Sequence, residues 1–99
     1  MPAKSVKIGG REFSRQKDAL EFYRVMLNSY RRGERVSDAD AIELNALLSR
    51  HISRDEKVGV GVDHFLVDSD EYGGQCFWIV RVDATRAHFT YKRCVTGIW

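Results

Sequence analysis

The sequence predicts an α+β domain, with two helices packed on one face of a small antiparallel sheet. Three observations lead there. Apolar residues recur at helical spacing through residues 14–30 and 37–51, then alternate from residue 57 onward. The only proline is Pro2, so nothing breaks the chain inside the domain. Apolar residues make up 43% of the 99 and aromatics 11%, enough for one core without staples. Helices first and strands afterwards is an α+β order, not a βαβ one.

Ser5-Val-Lys-Ile8, Gly9-Gly10 and Arg11-Glu-Phe13 read as a short strand, a turn and a return strand. Residues 1–10 are assigned to a partly flexible N-terminal segment, 11–95 to the single domain and 96–99 to a tail. Ser14 is placed to cap the first helix, whose stripe is Ala19, Phe22, Tyr23, Met26, Leu27 and Tyr30. Arg31-Arg32-Gly33 is expected to close it, with cations at its negative end and glycine free to turn left-handed. Ser37 starts the second helix, and Ser37 with Asp40 resembles a capping box. Ala41, Leu44, Leu47, Leu48 and His51 form its stripe, and it is expected to stop near residues 51–53.

After Asp55-Glu56 the period becomes two. Val58, Val60, Val62, His64 and Leu66 point one way, and Lys57, Gly59, Gly61, Asp63, Phe65 and Val67 the other. Residues 68–75, with Gly73-Gly74, read as a loop. Two further strands are expected over 76–82 and 86–95, completing a three-strand meander.

The register of that last hairpin decides which rings are presented. With a loop over 83–86, Val80 faces Phe89 and Trp78 faces Tyr91. That register concentrates apolar residues on one face and is favoured. Trp78, Val80, Phe89 and Tyr91 are then core, and Phe77, Arg81, His88 and Lys92 are presented. A slip of one residue exchanges one strand's faces and would leave Trp78 and Val80 beside His88. Either register keeps a face with a large ring and cations, suited to stacking on unpaired bases and meeting phosphates. The candidate nucleic-acid contacts are Phe77 and Tyr91 for stacking and Arg81, His88, Lys92 and Arg93 for phosphate. Arg31, Arg32 and Arg35 form a second cationic strip.

Charge alone does not announce a polyanion binder. Lys and Arg number 16 against 14 Asp and Glu, a net +2. No His or Cys pair has the short spacing of a zinc site, so no metal or cofactor is expected. Asp55-Glu-Lys57 matches half of a common nuclease metal site but reads better as a solvated turn, and no enzymatic role is expected. Cys76 and Cys94 are read as free thiols, because the favoured register puts them on opposite faces. The polar N-terminus lacks a signal sequence, no apolar run is long enough to span a membrane, and a cytoplasmic setting is expected.

An ordered series runs through nearly the whole chain: Phe13-Ser14, Asp18-Ala19, Leu27-Asn-Ser-Tyr30, Gly33-Glu-Arg-Val-Ser-Asp38, Asp40, Leu47-Leu48, Arg50-His51, Glu56-Lys57, Gly59-Val-Gly61 and His64-Phe65. It continues with Val67, Cys76-Phe-Trp-Ile-Val-Arg81, Asp83 and Phe89-Thr-Tyr-Lys-Arg-Cys-Val95. This series resembles the DCL family, named for defective chloroplasts and leaves. Plant members of that family are plastid proteins needed for ribosomal RNA maturation. Related domains end the largest subunits of plant RNA polymerases IV and V. The resemblance implies an RNA-linked or transcription-linked accessory domain; with the aromatic-basic hairpin, the expected function is a non-catalytic RNA-binding module, in ribosomal RNA processing for example, and the alternative is a protein-interaction domain docking a transcription or ribosome-assembly machine. It supplies no catalytic residues to carry over. The chain departs from the family at Asp83-Ala84-Thr85, where the turn is usually Asp-Gly-Ser. It also departs at His88, usually an acid, and at Ile52, usually proline. The missing transit peptide points to a short bacterial member.

Overall fold

The computed structural model describes residues 5–70 and 72–97. The expected α+β class holds: helices cover one face of an antiparallel sheet. The N-terminal strands β1 (Val6–Ile8) and β2 (Arg11–Phe13) pair as a separate hairpin. Val6 and Ile8 are buried, so this hairpin belongs to the core. Its turn lies hard against the second helix. A side chain at Gly9, φ +62°, would put its Cβ 2.7 Å from that of Ala46.

Helix α1 (Gln16–Asn28) follows. Its N-cap is Arg15, without a side-chain cap, and not the expected Ser14. It buries Ala19, Tyr23, Met26 and Leu27, and the Tyr23 hydroxyl donates to the Glu43 carbonyl at 3.3 Å. The helix ends before Arg31-Arg32-Gly33. Those residues instead lead into β3 (Glu34–Arg35), a fourth sheet strand that the expected meander lacks. The Gly33 and Val36 N–H groups donate to the carbonyls of Val67 and Phe65, at 2.6 and 3.0 Å. Two residues with no strand signal of their own are therefore held by their neighbour.

Helix α2 (Asp38–Leu48) starts at Ser37 as expected, with the hydroxyl accepting the Asp40 N–H at 3.3 Å. The return arm of a capping box is replaced by a tyrosine. Ser37 N–H donates to the Tyr30 hydroxyl at 3.0 Å, and that hydroxyl donates to the Asp40 carboxylate. Ser37→Ala is expected to cost about 1 kcal/mol. The urea midpoint should fall with an unchanged slope.

The stretch expected to be a solvated turn is a short helix, α3 (Arg54–Val58), closed by Gly59 at φ +55°. The sheet then runs β4 (Val62–Ser69), β5 (Gln75–Arg81) and β6 (Arg86–Phe89), in the order β3-β4-β5-β6. Val62 pairs with Arg81 but His64 with Val80, so Asp63 is an extra, bulged residue. The bulge resets the alternation. Val62, Phe65 and Val67 face the core, while His64 and Leu66 face away.

The expected strand over 86–95 is corrected. It stops at Phe89, and residues Tyr91–Thr96 form helix α4. Tyr91, Cys94 and Val95 are its buried positions, an i, i+3, i+4 set that fits a helix better than a strand. Helix α4 packs on α1 and α2. The Arg50 guanidinium donates to the Cys94 and Val95 carbonyls at 2.8 and 3.0 Å, serving groups left free at the end of so short a helix.

Candidate nucleic-acid interface

The pairing fixes two sheet faces. Phe65, Val67, Phe77, Ile79 and Phe89 face the helices and are buried. The opposite face contains no buried residue. Across its four strands Arg35 lies opposite Leu66, Leu66 opposite Trp78, and Trp78 opposite His88. Directly paired residues share a face, so these four side chains form one continuous row. His64, Val80 and Arg86 make the next row, and Asp68 with Cys76 flank the other side.

Trp78 is the centre of this face. Its indole N–H donates to the Ser69 carbonyl at 3.3 Å, which fixes the ring plane. The His88 ring meets it edge-on, with centroids 5.0 Å apart. The Arg86 guanidinium carbon lies over it, 5.0 Å from its centroid. Arg86 also donates to Asp68 Oδ2 at 3.2 Å, while Asp68 Oδ1 accepts the Ser69 N–H at 2.8 Å. The Ser69 N–H, and then Arg86, hold the Asp68 carboxyl below its usual pKa. His64 Nδ1 lies 2.6 Å from Asp63 at the rim.

The favoured hairpin register is not the one adopted. Phe77 pairs with Phe89 and Trp78 with His88, which exchanges the presented and buried sets of β5. Phe77 is 0% exposed and Tyr91 9%, so neither ring is available for stacking on a base. The favoured register gathers apolar residues only by counting Tyr91 as a strand residue, and Tyr91 is helical.

The predicted cations separate. Arg35 and His88 lie on the open row. Arg81 is on the helix side, and its guanidinium donates to the Lys57 and Glu56 carbonyls at 3.0 and 3.3 Å and to Thr85 at 3.1 Å. That arginine ties α3 to the sheet. Lys92 and Arg93 are exposed on α4, in the helical layer and away from the open face. Arg31 is exposed beside Glu34, whose carboxylate accepts its N–H at 2.8 Å. Arg32 donates to the Gly73 carbonyl at 2.6 Å, bridging to the β4–β5 turn. The open-face residues that the sequence reading misses as contacts are Trp78, Arg86, His64 and Leu66. The alternation along β4, β5 and β6 signals them, but only once the phase of each strand is known.

The cysteines are free and lie in different layers, Cys94 in the core and Cys76 on the open face. Burial pushes both thiols up to about 11. Among the described residues no three His, Cys, Asp or Glu side chains converge as a metal site. No helix among them is long and apolar enough to cross a membrane.

Comparison with known proteins places this arrangement. Protein DCL, chloroplastic, of Solanum lycopersicum is 37% identical over 82 residues, covering 78% of this chain and 37% of that protein. DNA-directed RNA polymerase IV subunit 1 of Arabidopsis thaliana is 34% identical over 73 residues, 73% of this chain and 5% of that protein. The chain thus spans only a part of either plant relative. The solution NMR structure of an uncharacterised protein from Rhodospirillum rubrum superimposes with a TM-score of 0.87 at 48% identity, covering 93% of this chain and 88% of that one. These matches bear out the resemblance to DCL proteins. The chain belongs to the family described as "Protein of unknown function (DUF3223)", which matches residues 24–95 and so takes in all four strands of the sheet.

Proposed function

We propose that the protein is a non-catalytic RNA-binding module that takes unpaired RNA on the open face of its sheet, as an accessory to RNA maturation, ribosomal RNA included. The observation that carries this reading is the row Arg35–Leu66–Trp78–His88, continuous across four strands and, among the described residues, free of covering helices. An unpaired base has two apolar faces and stacks on an aromatic ring whatever its sequence, while flanking cations meet the backbone. An A-form duplex offers no free base face to such a row. One relative is named as an RNA polymerase subunit, and its setting agrees with a role beside newly made RNA.

The test contrasts two arginines. Arg35→Ala is expected to weaken binding of an unpaired RNA oligonucleotide and to reduce the slope of log affinity against log salt by about 0.7, one phosphate contact. Arg93→Ala, on the helical layer, should leave both unchanged. Equal losses from the two variants would point to diffuse charge attraction in place of a defined face. Absence of binding at low salt would turn the assignment toward a protein partner docking on the same row.

A further inference from the structure

Arg86 occupies the place where a base would stack. Its guanidinium lies over the Trp78 ring and donates to Asp68 beside that ring. The indole cannot turn away easily, because its N–H is held by the Ser69 carbonyl. A base arriving on Trp78 must displace the guanidinium. Asp68 Oδ2 at its edge then loses the Arg86 donor, unless the base provides one. Resting on the RNA reading above, we infer that the open face selects an unpaired guanine, with Trp78 as the stacking floor and Asp68 as the acceptor for the guanine N1–H and N2–H groups.

Guanine is chemically like the group it displaces. Guanine carries within its ring edge the same N–C–N fork as a guanidinium, with two parallel N–H donors in the plane of a π system. A carboxylate accepts such a fork with two bonds. Asp68 has the capacity: Oδ1 takes one N–H from Ser69 and keeps a lone pair, and Oδ2 is released when Arg86 leaves. The other bases fit less well. Uracil offers one N–H between two carbonyls, which the carboxylate repels. Adenine and cytosine each set one amino donor beside a ring-nitrogen acceptor. The displaced Arg86 stays at the rim, where its charge can meet the phosphate of the bound nucleotide.

The experiment measures affinity for three unpaired nine-nucleotide RNAs: all uridine, and the same strand with a central adenine or a central guanine. The guanine strand should bind about tenfold more tightly, the scale of discrimination of a good two-bond contact. In Asp68→Asn the three strands should fall within about twofold of one another, because the amide no longer offers two acceptor oxygens to the guanine edge. Arg86→Ala should keep the guanine preference while lowering the salt slope by about 0.7. Equal affinities for the three strands in the unmodified protein would overturn the guanine assignment and leave the RNA reading standing. No binding to any strand would overturn both. Guanosine monophosphate competing at the same concentration as the guanine strand would overturn RNA as the source of the base.

Discussion

Phe77→Ala is expected to lower stability by about 3–5 kcal/mol, the cost of emptying a buried aromatic site. The ring is fully buried, stacks 6.0 Å from Phe89 and meets Tyr91 edge-on at 6.3 Å. It therefore joins one of the two interior strands of the sheet to the short C-terminal helix. Domains of this size hold roughly 5–15 kcal/mol in total, so the variant should be close to unfolding. Its thermal midpoint should fall by roughly 15 °C or more. The result separates the two hairpin registers. If Phe77 lay on the open face, truncation would change stability by less than about 1 kcal/mol. A denaturant titration showing so small a change would reject the pairing of Phe77 with Phe89.

What the sequence makes legible here is what depends on near neighbours. Ser37 caps α2 because its hydroxyl and the Asp40 N–H are three residues apart, and that contact forms whatever the rest of the chain does. Strand β3 is the opposite case. Glu34-Arg35 has no strand propensity, and its bonds come from Val67 and Phe65, some thirty residues away. Helix α4 hid behind an ambiguity: Phe89-Thr-Tyr-Lys-Arg-Cys-Val95 alternates well enough for a strand while carrying apolar residues at helical spacing. Three-dimensional context resolves it, since Tyr91, Cys94 and Val95 face α1 and α2.

The same ambiguity explains how much of the candidate site was visible. Charge alone picks out Arg35 and His88, and both lie on the open row. The favoured register puts Trp78 in the core and Phe77 on the surface, because strand phase has period two and one misread partner inverts every residue. Arg81 shows a further limit. A strand arginine reads as a phosphate contact, but the carbonyls that occupy it belong to α3, a five-residue helix too short to show periodicity.

Trp78→Ala is expected to be the counterpart of Phe77→Ala: a folded protein that has lost most of its RNA affinity. Stacking on an aromatic side chain contributes about 1–3 kcal/mol per base. The loss should therefore be about 5- to 150-fold, read by anisotropy of a labelled unpaired RNA. The stability cost should be smaller than at Phe77, because Trp78 is only half-buried and no helix among the described residues covers it. Trp78→Phe should recover part of the affinity, since it restores a π face. It will not restore all of it, because phenylalanine has no N–H for the Ser69 carbonyl that fixes the ring beside Asp68. A ring acting only through apolar area would give a graded loss that also follows Leu66→Ala and Val80→Ala, its neighbours on the same face. A ring acting as a stacking floor gives a loss concentrated at Trp78, with those aliphatic changes within about threefold of the parent. The second pattern is the one expected, because Trp78 alone in that row has a π face fixed in place and charged partners on both sides, Arg86 over it and Asp68 next to it.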